Sequence, residues 1–318
     1  MPLAPIFTRL GLIGIGLIGA SLARAARQFN VVGEIVCHDI DPQARRTALD
    51  LGIVDAAYDQ PQAAAAEADL VILCTPISAY GEVTAAIAPS LKPGTILSDV
   101  GSVKQAAIRD IGPLVPEGVH FVPGHPVSGT EQSGPEAGFA TLFDSRWCIL
   151  TPPPGSNRGA VDRLSEFWSR LGSRVEIMEA RHHDYVLAIT SHVPHLIAYN
   201  IVGVVDDLEK VTESEVVKYS AGGFRDFTRI AASNPIMWRD VFLNNREAVL
   251  EMLGRFSEDL TALQRAIRWG EGDKLEALFT RTRKIRREII AAGQDSDEPD
   301  FGRRQAQAAA EEEATPDR

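Results

Sequence analysis

The sequence predicts an α/β fold, a doubly wound and mostly parallel sheet, followed by an all-helical domain. Three observations carry that expectation. A glycine-rich turn stands between a short apolar run and a helical pattern near the N-terminus. Further apolar runs alternate with helical segments up to about residue 178. From Ala180 onward strand signals fade and helical periodicity takes over.

A chain of 318 residues has room for about two domains. Its apolar content of 45% excludes disorder throughout. The net charge of −11 argues against nucleic acid or an anionic membrane as a partner. Residues 294–318 carry −5 of that charge, and Phe301 is their one large apolar residue, which predicts an acidic disordered tail. Cys37, Cys74 and Cys148 sit in apolar stretches without metal-type spacing. Buried thiols in a reducing cytoplasm fit better than a disulfide framework.

Arg9 to Ile13 reads as the first strand, and Gly14-Ile15-Gly16-Leu17-Ile18-Gly19 follows it into a helix reaching Gln28. Leu10 to Ala23 imitates the apolar part of a secretory signal, but its glycines fall at G-x-G-x-x-G spacing. In that fingerprint the first glycine makes the turn, the second admits a pyrophosphate and the third lets helix and strand pack closely. The phosphates would lie on N–H groups at the helix start, including those of Leu17 and Ile18. Glu34 to His38 reads as the second strand, and Asp39 follows 20 residues after Gly19. A carboxylate there accepts both ribose hydroxyls of NAD and repels the 2′-phosphate of NADP. Asp41 is the alternative ribose ligand; position favours Asp39.

Asp69 to Cys74 is the next strand and ends at Thr75-Pro76; Thr95 to Val100 ends around Ser98 and is followed by Gly101 and Ser102. His120 to Pro123, Trp147 to Leu150 and Arg174 to Met178 complete the strand candidates. Helical patterns cover Ala79 to Ala88, Val103 to Ile111 and Arg158 to Leu171, and alanine-rich Ala63 to Ala68 reads as a short helix. Ligands bind beyond the C-terminal ends of such strands. Thr75, Pro76, Ser98, Gly101, Ser102 and Gly124-His125 are therefore expected at one crevice. The expected organisation is a dinucleotide-binding domain of Rossmann type at 1–179, a helical substrate and dimerisation domain at 180–293, and the tail at 294–318. Leu187 to Val205, Trp238 to Leu253 and Leu275 to Ala291 are the helices expected in the second.

Three segments carry chemistry. In Gly124-His125-Pro126-Val127-Ser128-Gly129-Thr130-Glu131 a histidine stands at a strand end on a stiff backbone. Two readings stand for His125: a proton acceptor near neutral pH, or a ring that ties down its own loop. In Ser191-His192-Val193-Pro194-His195 the spacing loosely suits a metal, but Pro194 disturbs the helix and no third ligand is evident, so no metal is expected. His182-His183 reads as an exposed helix start. In Gly222 to Arg229, a helix would put Arg225 and Arg229 on one face, with Asp226 three residues before Arg229. The alternative is a surface ion pair contributing little, but the glycine pair before it and the aromatic Trp238 after it favour a lined site suited to binding a carboxylate. The basic run Arg281 to Arg287 reads as a solvated helix face.

Taken together, Asp99 to Lys104, Gly124 to Glu131, Ser191 to His195 and Gly223 to Ala231 resemble the prephenate/arogenate dehydrogenase family of tyrosine biosynthesis, from about Leu10 to Ala291. The resemblance implies NAD-dependent oxidative decarboxylation of prephenate or arogenate. It implies that His125 bonds the ring hydroxyl and assists its deprotonation, that Ser102 contacts this hydroxyl and the nicotinamide region, and that Arg229 clamps the ring carboxylate. His195 and Ser191 match residues around the substrate side chain, Glu131 an acid at the mouth of the site, and Trp238 a nearby aromatic. It also implies a homodimer built by the helical domains. Ser128 departs from the alanine often found in relatives, which touches local packing only. With no room for a regulatory domain after Ala291, inhibition by tyrosine is expected to act at the active site. The alternatives are a silent NAD-binding sensor, or another hydroxyacid dehydrogenase using a lysine; Lys210 and Lys218 are available but lie in no such motif.

Overall fold

The computed structural model describes residues 4–212 and 221–291, with the side chains of 209–212 excepted. The acidic tail and Lys218 lie outside these residues, as does the side chain of Lys210. The described residues form two compact units that divide at Val249 and Leu250.

The first unit is built on a six-stranded parallel sheet in the order β3-β2-β1-β4-β5-β6. Its strands are β1 (Phe7–Ile13), β2 (Val32–His38), β3 (Ala56–Tyr58), β4 (Leu70–Leu73), β5 (Ile96–Asp99) and β6 (His120–Phe121). Alternate residues of one strand enter opposite cores. Leu70 and Ile72 pack with α1 (Leu17–Gln28) and α6 (Arg158–Arg170), whereas Val71 and Leu73 pack with α3 (Pro61–Ala65), α4 (Tyr80–Ile87) and α5 (Lys104–Ile111). Both faces are covered, which is why the strands read as unbroken apolar runs. α2 (Pro42–Asp50) connects β2 to β3.

Two strands escaped the sequence reading. β3 is three residues of Ala-Ala-Tyr, and β7 (Gly124–Pro126) contains glycine and proline. β8 (Trp147–Leu150) and β9 (Arg174–Ile177) were expected in the main sheet. They form instead a separate three-stranded sheet with β7, antiparallel between β7 and β8 and parallel between β8 and β9. Pro126 is the last residue of β7, and its missing N–H does not break the ladder, because the next bond is made by Val127 N–H, which donates to Trp147 O at 2.7 Å.

α7 (Ala180–Leu187) runs through a π-helical turn at Ala188–His192 into α8 (Val193–Thr212). Pro194 cannot donate to a preceding carbonyl, and the wider turn before it absorbs the mismatch. After α9 (Gly222–Thr228) a 3-10 turn at Arg229–Ala232 leads to α10 (Pro235–Asn244). The single helix expected over Trp238 to Leu253 is in fact α10 and α11 (Arg246–Trp269), broken at the buried Asn245. α10 contributes Trp238 and Val241 to the second core, and Ser78 Oγ donates to Asp240 Oδ2 at 2.6 Å to hold it there.

The second unit holds the rest of α11 and α12 (Gly272–Ala291). The basic run Arg281 to Arg287 is exposed on α12.

Candidate functional site

The C-terminal ends of β1, β4 and β5 meet at one edge of the sheet, where Cys74 N–H donates to Ile13 O and Val100 N–H to Leu73 O. Gly14 has φ of +100°, and a Cβ on it would come 2.7 Å from the Cys74 backbone. A Cβ on Gly19 would overlap the Gly14 carbonyl. A Cβ on Gly16 would meet nothing within 4 Å. Two glycines are therefore demanded by the turn itself, and the middle one faces open space. No side chain caps α1, and no acid stands in its first turn. Its leading N–H groups, those of Leu17 and Ile18 among them, are available to an anion.

Asp39 follows β2, and its Oδ2 accepts from Ile15 N–H at 2.8 Å, placing the carboxylate beside the glycine turn. Asp41 does a different job: its side chain accepts from Gln43 N–H and caps α2. An open cradle at Gly16, free helix-start amides and a carboxylate at the neighbouring strand end fit a dinucleotide with an unphosphorylated ribose. Thr75 and Ser98, at the ends of β4 and β5, bury hydroxyls that have no protein partner. Pro76 and Gly101 lie beside them in the chain; a Cβ on Gly101 would press on Tyr80 Oη and Asp99. Ser102, half-buried, follows at the loop before α5.

His125 stands next to this edge because β7 is locked to β5. The fully buried Lys104 ammonium bonds both Asp99 Oδ2 and Gly124 O, and Gly124 N–H donates to Asp99 Oδ1 at 3.3 Å. His125 is itself buried, and its Nδ1 lies 2.8 Å from His183 Nε2. Burial, followed by the neighbouring His183, Lys104 and His192, holds its pKa well below the ordinary histidine value. It is therefore neutral at physiological pH, as a proton acceptor must be.

His183 is not the exposed helix start expected: it is fully buried, while His182 is exposed. Its Nδ1 meets Asp184 Oδ1 at 2.8 Å. Asp184 is equally buried and accepts from Lys104 N–H and Gln105 N–H, capping α5 from 80 residues away. These two residues, with Lys104 and Asn245, are the site members sequence reasoning missed. A polar pair at a helix start looks solvated, and only the distant amides of α5 explain its burial.

The π turn points a second set of side chains the same way. Asn245 Nδ2 donates to Asp184 O at 2.8 Å and to His192 Nδ1 at 3.1 Å. His195 Nδ1–H donates to Ser191 O at 2.8 Å, and its ring stacks on Trp238 with centroids 3.7 Å apart. His192 meets the same indole edge-on at 5.9 Å. The Arg229 charge helps to lower the pKa of His195, after burial. Arg229 Nη1 pairs with Glu131 Oε2 at 2.9 Å, both side chains less than a third exposed, and its Nε is buried without a protein partner. Arg225 is not brought into this group: it is exposed and pairs with its neighbour Asp226. α9 stops at Thr228, so the two arginines do not share one continuous helix face.

The chain matches the family described as "Prephenate dehydrogenase, nucleotide-binding domain" over residues 22–177 and "Prephenate dehydrogenase, dimerization domain" over residues 179–281. It is 42% identical to a cyclohexadienyl dehydrogenase of Zymomonas mobilis, over 88% of this chain and 96% of that protein. It is 33% identical to a prephenate dehydrogenase of Bacillus subtilis, over 84% and 71% of the two chains. Its fold resembles the crystal structure of prephenate dehydrogenase from A. aeolicus in complex with hydroxyphenyl propionate and NAD+. The TM-score is 0.83 and the identity 32%, covering 89% of this chain and 98% of that one.

Proposed function

The chain belongs to the prephenate dehydrogenase family, and from that premise we propose how its residues divide the reaction. It is an NAD-dependent dehydrogenase of tyrosine biosynthesis, acting on prephenate, arogenate or both. The observation that carries the assignment of residues is a buried, neutral histidine locked beside a dinucleotide cradle at one sheet edge.

Gly14, Gly16, Gly19 and the first amides of α1 would hold the pyrophosphate, and Asp39 the ribose, with Thr75, Pro76, Ser98 and Gly101 lining the remainder. NAD+, when bound, supplies the hydride acceptor. His125 Nε2 takes the proton of the substrate's C4 hydroxyl as hydride leaves C4. The C1 carboxylate departs as carbon dioxide, its bonding electrons complete the aromatic ring, and the C4 oxygen, left as a phenolate, takes the proton back from His125. Ser102 orients the hydroxyl. Arg229 holds the carboxylate, for which an incoming substrate competes with Glu131. His195, stacked on Trp238, and Ser191 receive the side-chain end. The chain's main task is to position the two reactants in a water-poor site.

We also read the molecule as a cytoplasmic homodimer, with tyrosine able to compete at the active site. The run Ala180–Leu208 is long and apolar enough to cross a membrane by length and composition alone. Its exposed Ile201, Val204 and Leu208 fit better against a second copy, because the same run carries the histidines of the site. The test is absorbance at 340 nm with prephenate and arogenate, each with NAD+ and NADP+. NADH formation with either acid is expected. Intact NADH binding with no turnover of either acid would overturn the reading.

A further inference from the structure

We propose that Asp184 and His183 are positioning residues for this reaction: together they hold His125 in the tautomer whose Nε2 is free to take the substrate proton. The proposal rests on His125 being the acceptor.

Two donors in this network have a fixed identity. The backbone N–H groups of Lys104 and Gln105 can only donate, and they end on the two oxygens of Asp184, at 2.7 and 2.9 Å. Asp184 is thus held as an acceptor, and a carboxylate has no proton to give. His183 Nδ1, 2.8 Å from Asp184 Oδ1, therefore carries a hydrogen and donates it. Burial favours the neutral form of His183, whose Nε2 is then bare. His125 Nδ1, 2.8 Å from that nitrogen, donates to it, and the lone pair of neutral His125 falls on Nε2. Two amides at the start of α5 thereby set the polarity of three side chains in series.

The charged and titratable groups facing the two rings are Lys104, Asp99, His192, Cys148 and Asp184. Lys104 repels the charge that His125 gains with the proton, and burial opposes it as well. Asp184 is the carboxylate bonded in line behind it. When Nε2 takes the hydroxyl proton, the Nδ1–H bond to His183 becomes charge-assisted and stronger, with Asp184 at its far end. No further atom need move.

The test uses the full chain with His125→Asn, His183→Phe and Asp184→Asn. For His183→Phe and Asp184→Asn, kcat is expected to fall about 10–100-fold with KM for both substrates within about twofold, and the acid limb of kcat/KM to move by more than about half a pH unit. Nitrogen-15 NMR of histidine-labelled wild-type protein should show His125 protonated at Nδ1 and bare at Nε2. Wild-type kcat and pH profile in His183→Phe, with His125→Asn inactive, would overturn the relay and leave His125 as the base. Turnover by His125→Asn would overturn the base itself. Should Asp184→Asn fail to fold for want of the α5 cap, the wild-type spectrum decides: a proton on His125 Nε2 refutes the proposal.

Discussion

Replacing Gly16 by alanine should leave the fold standing and weaken cofactor binding, whereas the same change at Gly19 should first destabilise the fold. The structure separates the two by what a methyl group would meet. At Gly19 it overlaps the Gly14 carbonyl, a backbone atom inside a tight turn that cannot swing aside. Forced overpacking of this kind costs about 1–3 kcal/mol. For a unit of this size that lowers the melting temperature by roughly 2–12 °C. At Gly16 the methyl meets nothing within 4 Å, and φ is an ordinary −68°. The expected loss of stability there is about 1 kcal/mol or less, from alanine's poorer fit at a helix N-cap. The open space it enters is the approach to the helix-start amides. Loss of one charge-assisted N–H bond to a phosphate, worth about 1.5–3 kcal/mol, weakens NADH roughly 10–100-fold. Thermal melts and NADH fluorescence titrations on the two variants read both effects. A Gly16→Ala protein that melts as low as Gly19→Ala, or that binds NADH like the wild type, would contradict this division of roles between the two glycines.

Arg229→Leu should raise KM for the cyclohexadienyl acid roughly 10–100-fold with a smaller change in kcat, because the carboxylate contact is made before the chemistry; a lowered kcat at unchanged KM in steady-state assays would contradict this. Asp39→Asn should weaken NADH and narrow the preference over NADPH, since the carboxylate that repels a 2′-phosphate is gone; paired titrations that leave the NADH/NADPH ratio unaltered would remove Asp39 from that role. Stability should fall on mild acidification. Burial lowers the pKa of His192 from 6.5 to about 4, so between those values the unfolded chain binds the extra proton and the native state does not. Stability therefore drops as pH falls from about 6.5 toward 4, by about 3 kcal/mol for this group alone. His125 and His183, lowered in the same sense, add to the loss. Asp55, Asp69 and Asp240, also lowered, lose their contribution only below their ordinary 3.8. Urea unfolding at pH 7, 6 and 5 measures it, and a flat response would show that the histidines are not buried neutral.

The parts of this molecule that were legible in the sequence are those whose cause is local. Gly14, Gly16 and Gly19 shape a turn through their own backbone, and Asp39 is placed by counting along one βα unit. Strands buried on both faces, such as Leu70 to Leu73, declare themselves by composition. What was hidden depends on partners far along the chain. β7 exists because Trp147 to Leu150 pairs with it, not because Gly-His-Pro favours a strand. His183 and Asp184 are buried because α5 needs a cap. Asn245 interrupts a helical pattern to serve Asp184 and His192. Arg229 stood out as a candidate in its own segment, but its partner Glu131 stands 98 residues away.

The buried pair of Lys104 and Asp99 has a consequence for how this chain can change over generations. The two charges fix Gly124, and so His125, without touching a reactant. Losing either one strands the other in the interior, at a cost of about 3–5 kcal/mol. That is a large fraction of the roughly 5–15 kcal/mol that keeps a protein folded. An apolar pair of matching volume would be tolerable, yet every route to it by one substitution at a time passes through a stranded charge. The arrangement is easy to keep and hard to leave, so the hidden lysine is held in place by stability alone.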